Sequence, residues 1–219
     1  MNVLIACEES QRVCTAFREK GHNAFSCDIQ ECSGGHPEWH ILGDVLPLIN
    51  GNCEFKTVDG ITHRIDGKWD LLIAHPPCTY LSNAGARHLY PHGKLNTERY
   101  EKGLKAKEFF MMFYNADCDK IAVENPIPSK IFCLPKYAQT IQPYEHGHPY
   151  SKKTCLWLKN LPLLYPSNIV NHHQSTKIAG NWFNTCGKNR QKNRAKTFPG
   201  IAKAMAEQWG NEGQEVKNV

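Results

Sequence analysis

Short apolar runs alternate along the chain with segments of mixed polarity, and these runs predict the strands of a parallel sheet. Near-continuous apolar segments are typical of parallel strands that are buried on both faces. The clearest runs are NVLIA (Asn2 to Ala6), NAFSCDI (Asn23 to Ile29), WDLLIA (Trp69 to Ala74) and DKIAVENP (Asp119 to Pro126). Between the first two, a helix is predicted from about Gln11 to Lys20, with Ser10 as its N-cap and Gly21 as its end.

The second half of the chain continues this alternation. A helix is predicted over residues 97–116, and another from Phe198 to Gly210, with Pro199 in its first turn. QTIQPY (139–144) and KKTCLWL (152–158) predict two final strands that pair as a hairpin. Strands that alternate with helices in this way predict a doubly wound α/β fold with helices on both faces of the sheet.

Two segments interrupt the alternation and suggest a division of the chain. Residues 50–68 predict an inserted β-hairpin, and residues 159–197 are irregular, polar, aromatic and basic. We therefore expect a core over residues 1–158, a small basic segment over 159–197, and a helix and tail over 198–219 that return to the core.

Composition and charge indicate more about the possible binding partners of the chain than about its fold. With 219 residues, 41% of them hydrophobic and 21% charged, the chain can bury the core of one domain. The net charge of +5 permits a polyanionic partner without requiring one. The stretch KNRQKNRAK (188–196) contains no acid and follows NWFN (181–184), a pattern that suits phosphate contact and base stacking as well as a solvated loop. Its candidate contact residues are Lys188, Arg190, Lys192 and Arg194.

No segment predicts export or membrane insertion. No apolar run approaches the roughly 20 residues that span a membrane. The N-terminus, MNVLIACEES, reaches an acid at Glu8 and lacks the long apolar stretch of a signal peptide. The 10 cysteines are scattered, so we expect reduced thiols in a cytoplasm.

The reactive side chains cluster where the predicted strands end. Ligands of open parallel sheets bind beyond the carboxyl ends of the strands. There, two prolines with fixed φ angles precede Cys78, and a third, Pro126, follows Glu124. A thiol that attacks and a carboxyl that manages a proton would suit these two positions. Taken singly, each motif also fits an ordinary turn or strand end.

The order of these motifs resembles that of the DNA cytosine-5 methyltransferase family. WDLLIAHPPCTYLSNAG (69–85) is similar to the family's nucleophile motif, and IAVENP (121–126) is similar to its Glu-Asn-Val motif. Gly43-Asp44, CDIQ (27–30) and FPGIAKAMAEQW (198–209) resemble the family's cofactor-site elements.

The resemblance implies a class I, Rossmann-like methyltransferase that uses S-adenosylmethionine. Cys78 would add to C6 of a flipped cytosine, and Glu124, followed by Asn125, would hydrogen-bond its N3 and exocyclic amine. The implied cofactor contacts are Cys7, Glu8, Glu9, Ser10, Asp28, Ile29, Asp44 and Pro76. The implied substrate contacts are Ser82, Lys152 and Lys153, together with the basic stretch. DNA is the expected partner.

Four features depart from the family pattern. The first turn, ACEESQRVC, has no glycine, and His75 replaces the small residue that usually precedes Pro-Pro. Lys152 and Lys153 stand where the family has arginines, and a lysine ammonium lacks the bidentate geometry of a guanidinium. The target-recognition domain is reduced to about residues 159–197. Small relatives of this kind are commonly phage-encoded, which would place the chain in a bacterial or phage-infected cell.

One stretch also offers a pattern of metal ligands. CDIQECSGGHPEWH supplies the thiols and imidazoles of Cys27, Cys32, His36 and His40. Structural zinc uses such ligands, but the stronger C-x2-C spacing is absent. Cys27 is expected to face the core, so the leading interpretation includes no metal.

Other functions remain open at this point. An amino-methyltransferase would carry Asp, Asn or Ser before Pro-Pro and an aromatic residue after it, whereas HPPC matches only the prolines. A cytosine-5-type enzyme acting on RNA or a free nucleotide fits the small target region. A non-catalytic nucleic-acid-binding relative fits the altered first turn. The recognition sequence, oligomeric state and biological role (self-protection, evasion of host nucleases or genome marking) are not indicated.

Overall fold

The computed structural model describes residues 1–172, 174–175 and 190–211. Its strands are β1 (Asn2–Ala6), β2 (Asn23–Asp28), β3 (His40–Leu42), β4 (Cys53–Lys56), β5 (Thr62–Ile65), β6 (Leu71–Ala74), β7 (Ile121–Pro126), β8 (Gln139–Ile141), β9 (Tyr150–Ser151), β10 (Thr154–Lys159) and β11 (Gln174–Ser175). Its α-helices are α1 (Arg12–Glu19), α2 (Asn83–Ala86), α3 (Thr97–Tyr114), α4 (Arg190–Ala195) and α5 (Pro199–Trp209).

A seven-stranded sheet in the order β3-β2-β1-β6-β7-β10-β8 forms the centre of the fold. Five neighbouring strands of this sheet, β3, β2, β1, β6 and β7, are parallel. The strand β10 runs antiparallel to both β7 and β8. The strand order reverses between β1 and β6, which is where open α/β sheets bind ligands. The predicted doubly wound, Rossmann-like α/β fold is confirmed. The predicted antiparallel pairing of the last two sheet strands is also present.

Two hydrophobic clusters cover the two faces of the sheet. Alternate residues of β1 face opposite ways, so Leu4 packs into one cluster and Ile5 into the other. The first cluster includes side chains of α3 and of the inserted β4–β5 hairpin, and the second includes those of α1 and α5. In the described ranges, no helix is long and apolar enough to cross a membrane.

Two local features differ from what the sequence predicted. The N-cap of α1 is Gln11, in a left-handed conformation with φ 56°, and Ser10 does not cap it. The Glu8 carboxylate accepts hydrogen bonds from the amides of Val13 (2.7 Å) and Cys14 (3.1 Å), because a charged acceptor satisfies the first N–H groups of a helix well. The strand β3 was not predicted, because its three residues are too few to show the alternation of apolar and polar positions that marks a strand.

The predicted irregular segment 159–197 is partly regular. It contains α4 and the short strand β11, which pairs with β9. The sequence of α4, RQKNRA, has no apolar face, so hydrophobic periodicity could not indicate a helix.

Candidate active site

The carboxyl ends of three neighbouring strands place the candidate residues side by side. In the central sheet, Ala6 of β1 lies opposite Ala74 of β6, and Ala74 lies opposite Val123 of β7. The residues that follow these positions therefore lie together at one edge, as the alternation of strands and polar ends predicts.

His75 and Glu124 form an ion pair at this edge. His75 Nδ1 lies 3.0 Å from Glu124 Oε2, and their side chains are only 9% and 16% exposed. Burial lowers the pKa of His75, but the hydrogen bond and charge of Glu124 outweigh it and raise that pKa above its ordinary value. Burial raises the pKa of Glu124, yet His75 and Lys152 together hold it below its ordinary value. Both shifts favour the imidazolium–carboxylate form of the pair.

Cys78 lies in a tight turn that is tied to the segment after β7. Its carbonyl accepts hydrogen bonds from the amides of Leu81 (3.2 Å) and Ser82 (3.0 Å). The amide of Ser129 donates to the carbonyl of Leu81 (2.7 Å), and Asn83 donates to Ile127 (2.8 Å). The thiol and Glu124 are therefore carried by two segments that brace each other.

Opposing charges surround the Cys78 thiol. Burial and the negative charge of Glu124 raise its pKa, whereas the cations of Lys152 and Arg194 lower it. Lys152 Nζ donates to the carbonyl of Arg194 at 2.8 Å, which fixes the ammonium near α4. Burial lowers the pKa of Lys152, and Glu124 and Cys78 oppose that shift. Among the predicted substrate contacts, Lys152 and Arg194 thus belong to the thiol site, while Lys153 is exposed next to them.

Asn125 and Ser82 hold the nucleophile loop. Asn125 is buried, and its Nδ2 donates to the carbonyl of Pro76 at 2.8 Å. Ser82 is buried as well, and its hydroxyl accepts from the amide of Gly85 at 3.2 Å as the N-cap of α2. This geometry gives Ser82 a loop-supporting position, whereas the resemblance implied a substrate contact.

A second group of side chains lies at the ends of β1, β2 and β3. Asp28 Oδ1 accepts from the amide of Gln30 (2.9 Å), and Asp44 Oδ1 accepts from that of Leu46 (3.0 Å). Burial raises the pKa of Cys7 strongly, and the neighbouring Asp28, Cys27 and Asp44 raise it further. Between the two acids in the sequence, Ile29 is 80% exposed. Carboxylates beside an uncovered apolar side chain suit a ribose hydroxyl next to an apolar base.

The first turn uses its acids differently from the prediction. Glu8 caps α1, and Ser10 Oγ donates to Glu8 Oε1 at 3.4 Å, so both side chains point to the helix and not to an open cofactor site. Glu9 Oε1 lies 3.8 Å from Lys196 Nζ. A cofactor contact by Glu8 or Ser10 would therefore have to come from the backbone.

The turn after β1 contains no glycine, but Gly34, in the loop after β2, packs closely against it. A Cβ built on Gly34 would lie 2.5 Å from Gln11 Cβ and 2.8 Å from the carbonyl of Ser10. Such distances exclude any side chain at position 34 without a shift of the backbone. The loop after β2 packs against the turn only because this residue is glycine.

The residues present fit S-adenosylmethionine. The acid–apolar group of Asp28, Ile29 and Asp44 suits its adenosine, and the neighbouring strand ends supply unused polar atoms. His75 Nε2 and Asn125 Oδ1 are buried and have no hydrogen-bond partner in the described part of the chain. Since buried polar atoms without partners are costly, these two atoms indicate that a ligand or water binds there.

The four candidate zinc ligands do not converge. Cys27 is buried, with Sγ 3.6 Å from the carbonyl of Gly43. His40 contacts Ser26 Oγ and the carbonyl of Gln30, each at 2.9 Å. The rings of His36 and Trp39 stack with centroids 3.8 Å apart. No group of three potential ligands that includes Cys32 or these residues occurs among the residues that the structure describes.

The basic stretch is described only in part. Lys188 and NWFN (181–184) lie outside the described residues. Arg190 and Lys192 belong to α4, which begins directly after that gap. Of the predicted contacts within this stretch, Arg194 is the one whose described side chain acts on Cys78.

Sequence reasoning missed two basic residues that brace the site. Arg99, on α3, donates from Nη2 to the carbonyls of Thr79 (3.1 Å) and Gly85 (3.2 Å), on either side of the nucleophile turn. Lys196 Nζ donates to Ser33 Oγ at 2.9 Å and so links the segment after α4 to the loop after β2. No sequence pattern marks either residue, because each acts on backbone or loop atoms far away in the chain.

Comparisons with known proteins return structural neighbours at low identity. No family model matches the chain, and no curated protein matches it. A DNA modification methyltransferase encoded within an E. coli prophage is similar over 81% of this chain, with a TM-score of 0.45 and 12% identity. Entamoeba histolytica methyltransferase EhMeth is similar over 80% (TM-score 0.40, 13% identity), as is a mutant of Spodoptera frugiperda DNMT2 (TM-score 0.37, 15% identity). The chain spans about half of each neighbour: 53%, 56% and 54% of their lengths.

Proposed function

We propose that the chain transfers a methyl group from S-adenosylmethionine to C5 of cytosine in DNA through a covalent adduct with Cys78. The observation that carries this proposal is the group formed by Cys78, Glu124 and Lys152 at the ends of neighbouring strands. A thiol beside both a carboxylate and an ammonium suits attack on a ring whose nitrogen must be hydrogen-bonded at the same time.

Each of these residues has a defined part in the reaction. The Cys78 thiolate forms the Sγ–C6 bond, and the displaced π electrons make C5 nucleophilic. As the thiolate adds, Glu124 accepts a hydrogen bond from the exocyclic amine and passes a proton to N3, which neutralises the charge that develops on the ring. C5 takes the methyl group, with S-adenosylhomocysteine as the leaving group, and loss of the C5 proton to a base then restores the ring double bond and expels the thiolate. Lys152 and Arg194 stabilise that thiolate at both ends of the cycle.

The cofactor would lie between the residues around Cys78 and the acidic group of Asp28 and Asp44. When bound, S-adenosylmethionine supplies an electrophilic methyl group. Asp28 and Asp44 would hold its adenosine hydroxyls and amine, and Ile29 would cover the adenine. The backbone of residues 7–10, together with the buried polar atoms of His75 and Asn125, would face its methionine end.

DNA is the proposed partner, and the target base must leave the duplex to reach Cys78. Arg194, on the helix α4 within the basic stretch, would contact a phosphate of the flipped nucleotide. Residues 159–197 are the proposed reduced target-recognition region. Single-stranded RNA or a free nucleotide would need no base flipping, so they belong in the same assay.

The test is transfer of labelled methyl from S-adenosylmethionine to DNA, RNA and cytidine nucleotides in parallel, with the modified base identified after hydrolysis. We expect 5-methylcytosine in DNA and none with Cys78→Ala. Methylation of an exocyclic amine would support an amino-methyltransferase instead. Binding of DNA without any methyl transfer would support a non-catalytic protein.

A further inference from the structure

The His75 side chain is prominent in the site, and the reaction proposed above leaves its Nδ1 without a role. It follows β6 directly and precedes the Pro-Pro pair, where the resemblance leads us to expect a small residue. Its Nδ1 contacts one oxygen of Glu124, Oε2, at 3.0 Å. Glu124 Oε2 thus has a protein partner, while Oε1 accepts no hydrogen bond from the residues that the structure describes and is available to a substrate.

The charges around His75 favour its protonated form. Glu124 contacts it from β7, and Glu8 acts on it from the turn after β1. Lys152, which precedes β10, is the cation that opposes protonation. The two acids therefore favour the imidazolium and Lys152 opposes it, and the contact with Glu124 outweighs the effect of burial.

We infer that His75 is a positioning residue for Glu124: the protonated ring holds Oε2 and leaves Oε1 to accept the exocyclic amino group of the target cytosine. This inference rests on the proposed function. The carboxylate would otherwise be free to turn toward Lys152 or Cys78, both of which lie within electrostatic range. Fixing one oxygen selects the orientation in which the other meets the base.

The inference predicts a characteristic dependence on pH. The pKa of His75 is raised in the folded protein, so the ring is charged at low pH and loses its charge as the pH passes through that raised value. A neutral imidazole still donates from Nδ1, but a charge-assisted hydrogen bond is roughly twice as strong. The advantage that His75 gives should therefore decline as pH rises, while the need for the Cys78 thiolate makes activity rise.

The ratio of wild-type kcat/KM to that of His75→Asn isolates this effect. Asparagine can place a neutral donor near the position of Nδ1 but cannot be protonated, and the Cys78 dependence cancels in the ratio. We expect a ratio of about ten at low pH that falls toward one across the titration of His75. The matched control is His22→Asn, which precedes β2 at the opposite edge of the sheet and should give a ratio that does not change with pH.

A titration by NMR tests the pairing without any catalysis. In ¹⁵N-histidine-labelled protein, the signals absent from His75→Asn identify His75, and its pKa should fall in Glu124→Gln. A ratio that is constant with pH, or a His75 pKa that does not respond to Glu124→Gln, would overturn the inference. If wild-type protein transfers no methyl group to any substrate, the proposed function fails and the inferred catalytic role with it, whereas the NMR result still decides whether the ion pair exists.

Discussion

Two thiols at the same edge of the sheet have opposite surroundings. Cys7 follows β1 and Cys78 follows β6, and these strands are neighbours. Around Cys7 lie Asp28 and Asp44, which together with burial raise its pKa strongly. Around Cys78, Lys152 and Arg194 oppose the effect of burial. Burial raises the pKa of both thiols, but only at Cys78 do neighbouring cations oppose that rise.

The same contrast divides the site by function. The acidic side around Cys7 suits a cofactor with hydroxyl and amine donors, and its thiol is expected to remain protonated. The side around Cys78 combines cations with one carboxylate, which suits a thiolate and a heterocyclic base. Each of the following substitutions acts on one side of this division.

Removal of the nucleophile should have the largest effect. Cys78→Ala should lower methyl transfer by at least about 10³-fold, because residues that act as one catalytic unit fail together. Single-turnover assays with labelled cofactor measure it. Cys133→Ala, which removes an exposed thiol, is the matched control and should retain activity. Equal activity of wild type and Cys78→Ala would exclude covalent catalysis.

Loss of the carboxylate charge should come next. Glu124→Gln should reduce kcat by roughly 10²-fold, because the neutral amide keeps the shape of the side chain but cannot accept and deliver a proton. It should also lower the pKa of Cys78, because Glu124 raises it in the wild type. Steady-state kinetics and thiol alkylation report the two effects separately. A variant with reduced kcat but an unchanged alkylation profile would contradict the electrostatic effect of Glu124 on the Cys78 thiol.

The cation beside the thiol can be tested by alkylation alone. Lys152 lowers the pKa of Cys78, so Lys152→Gln should move the midpoint of iodoacetamide modification upward by about one pH unit. Peptide mapping by mass spectrometry separates Cys78 from the other thiols. Lys153→Gln, an exposed neighbour, is the matched control. Faster modification of Cys7 than of Cys78 in the wild type would reverse the comparison on which the assignment rests.

The smallest effect is expected on the acidic side. Asp28→Asn should weaken binding of S-adenosylmethionine by about tenfold, through loss of a charged acceptor, without changing alkylation of Cys78. Isothermal titration calorimetry measures the affinity. Asp66→Asn, on an exposed aspartate after β5, gives the matched control. Unchanged affinity in Asp28→Asn would remove Asp28 from the proposed cofactor site.

The fold was largely predictable because its strands are strongly patterned. The apolar runs of β1, β6 and β7 are long enough to predict their positions, and the order of the motifs indicated the strand ends. The short strand β3 and the polar helix α4 have no such pattern. Their formation depends on partners far away in the sequence, as in the pairing of β3 with β2.

The site was predictable in its residues more than in its contacts. Cys78 and Glu124 were expected at one edge, and strand alignment explains why. The capping of α1 by Glu8 and the pairing of His75 with Glu124 could not be predicted, because each depends on the exact direction of a side chain. The packing of Gly34 against the turn at residues 7–11 could not be predicted either, because it depends on the contact between two separate segments.

The most direct measurement of the central claim is a trapping experiment with DNA that contains 5-fluorocytosine. A fluorine at C5 cannot leave as a proton does. The reaction would therefore stop at the covalent adduct, after the Sγ–C6 bond and the C5–methyl bond have formed. The account predicts a complex that is stable to denaturation, requires S-adenosylmethionine, and maps to the peptide that contains Cys78. Methyl transfer to cytosine-containing DNA without any trapped complex, or an adduct on another cysteine, would contradict it.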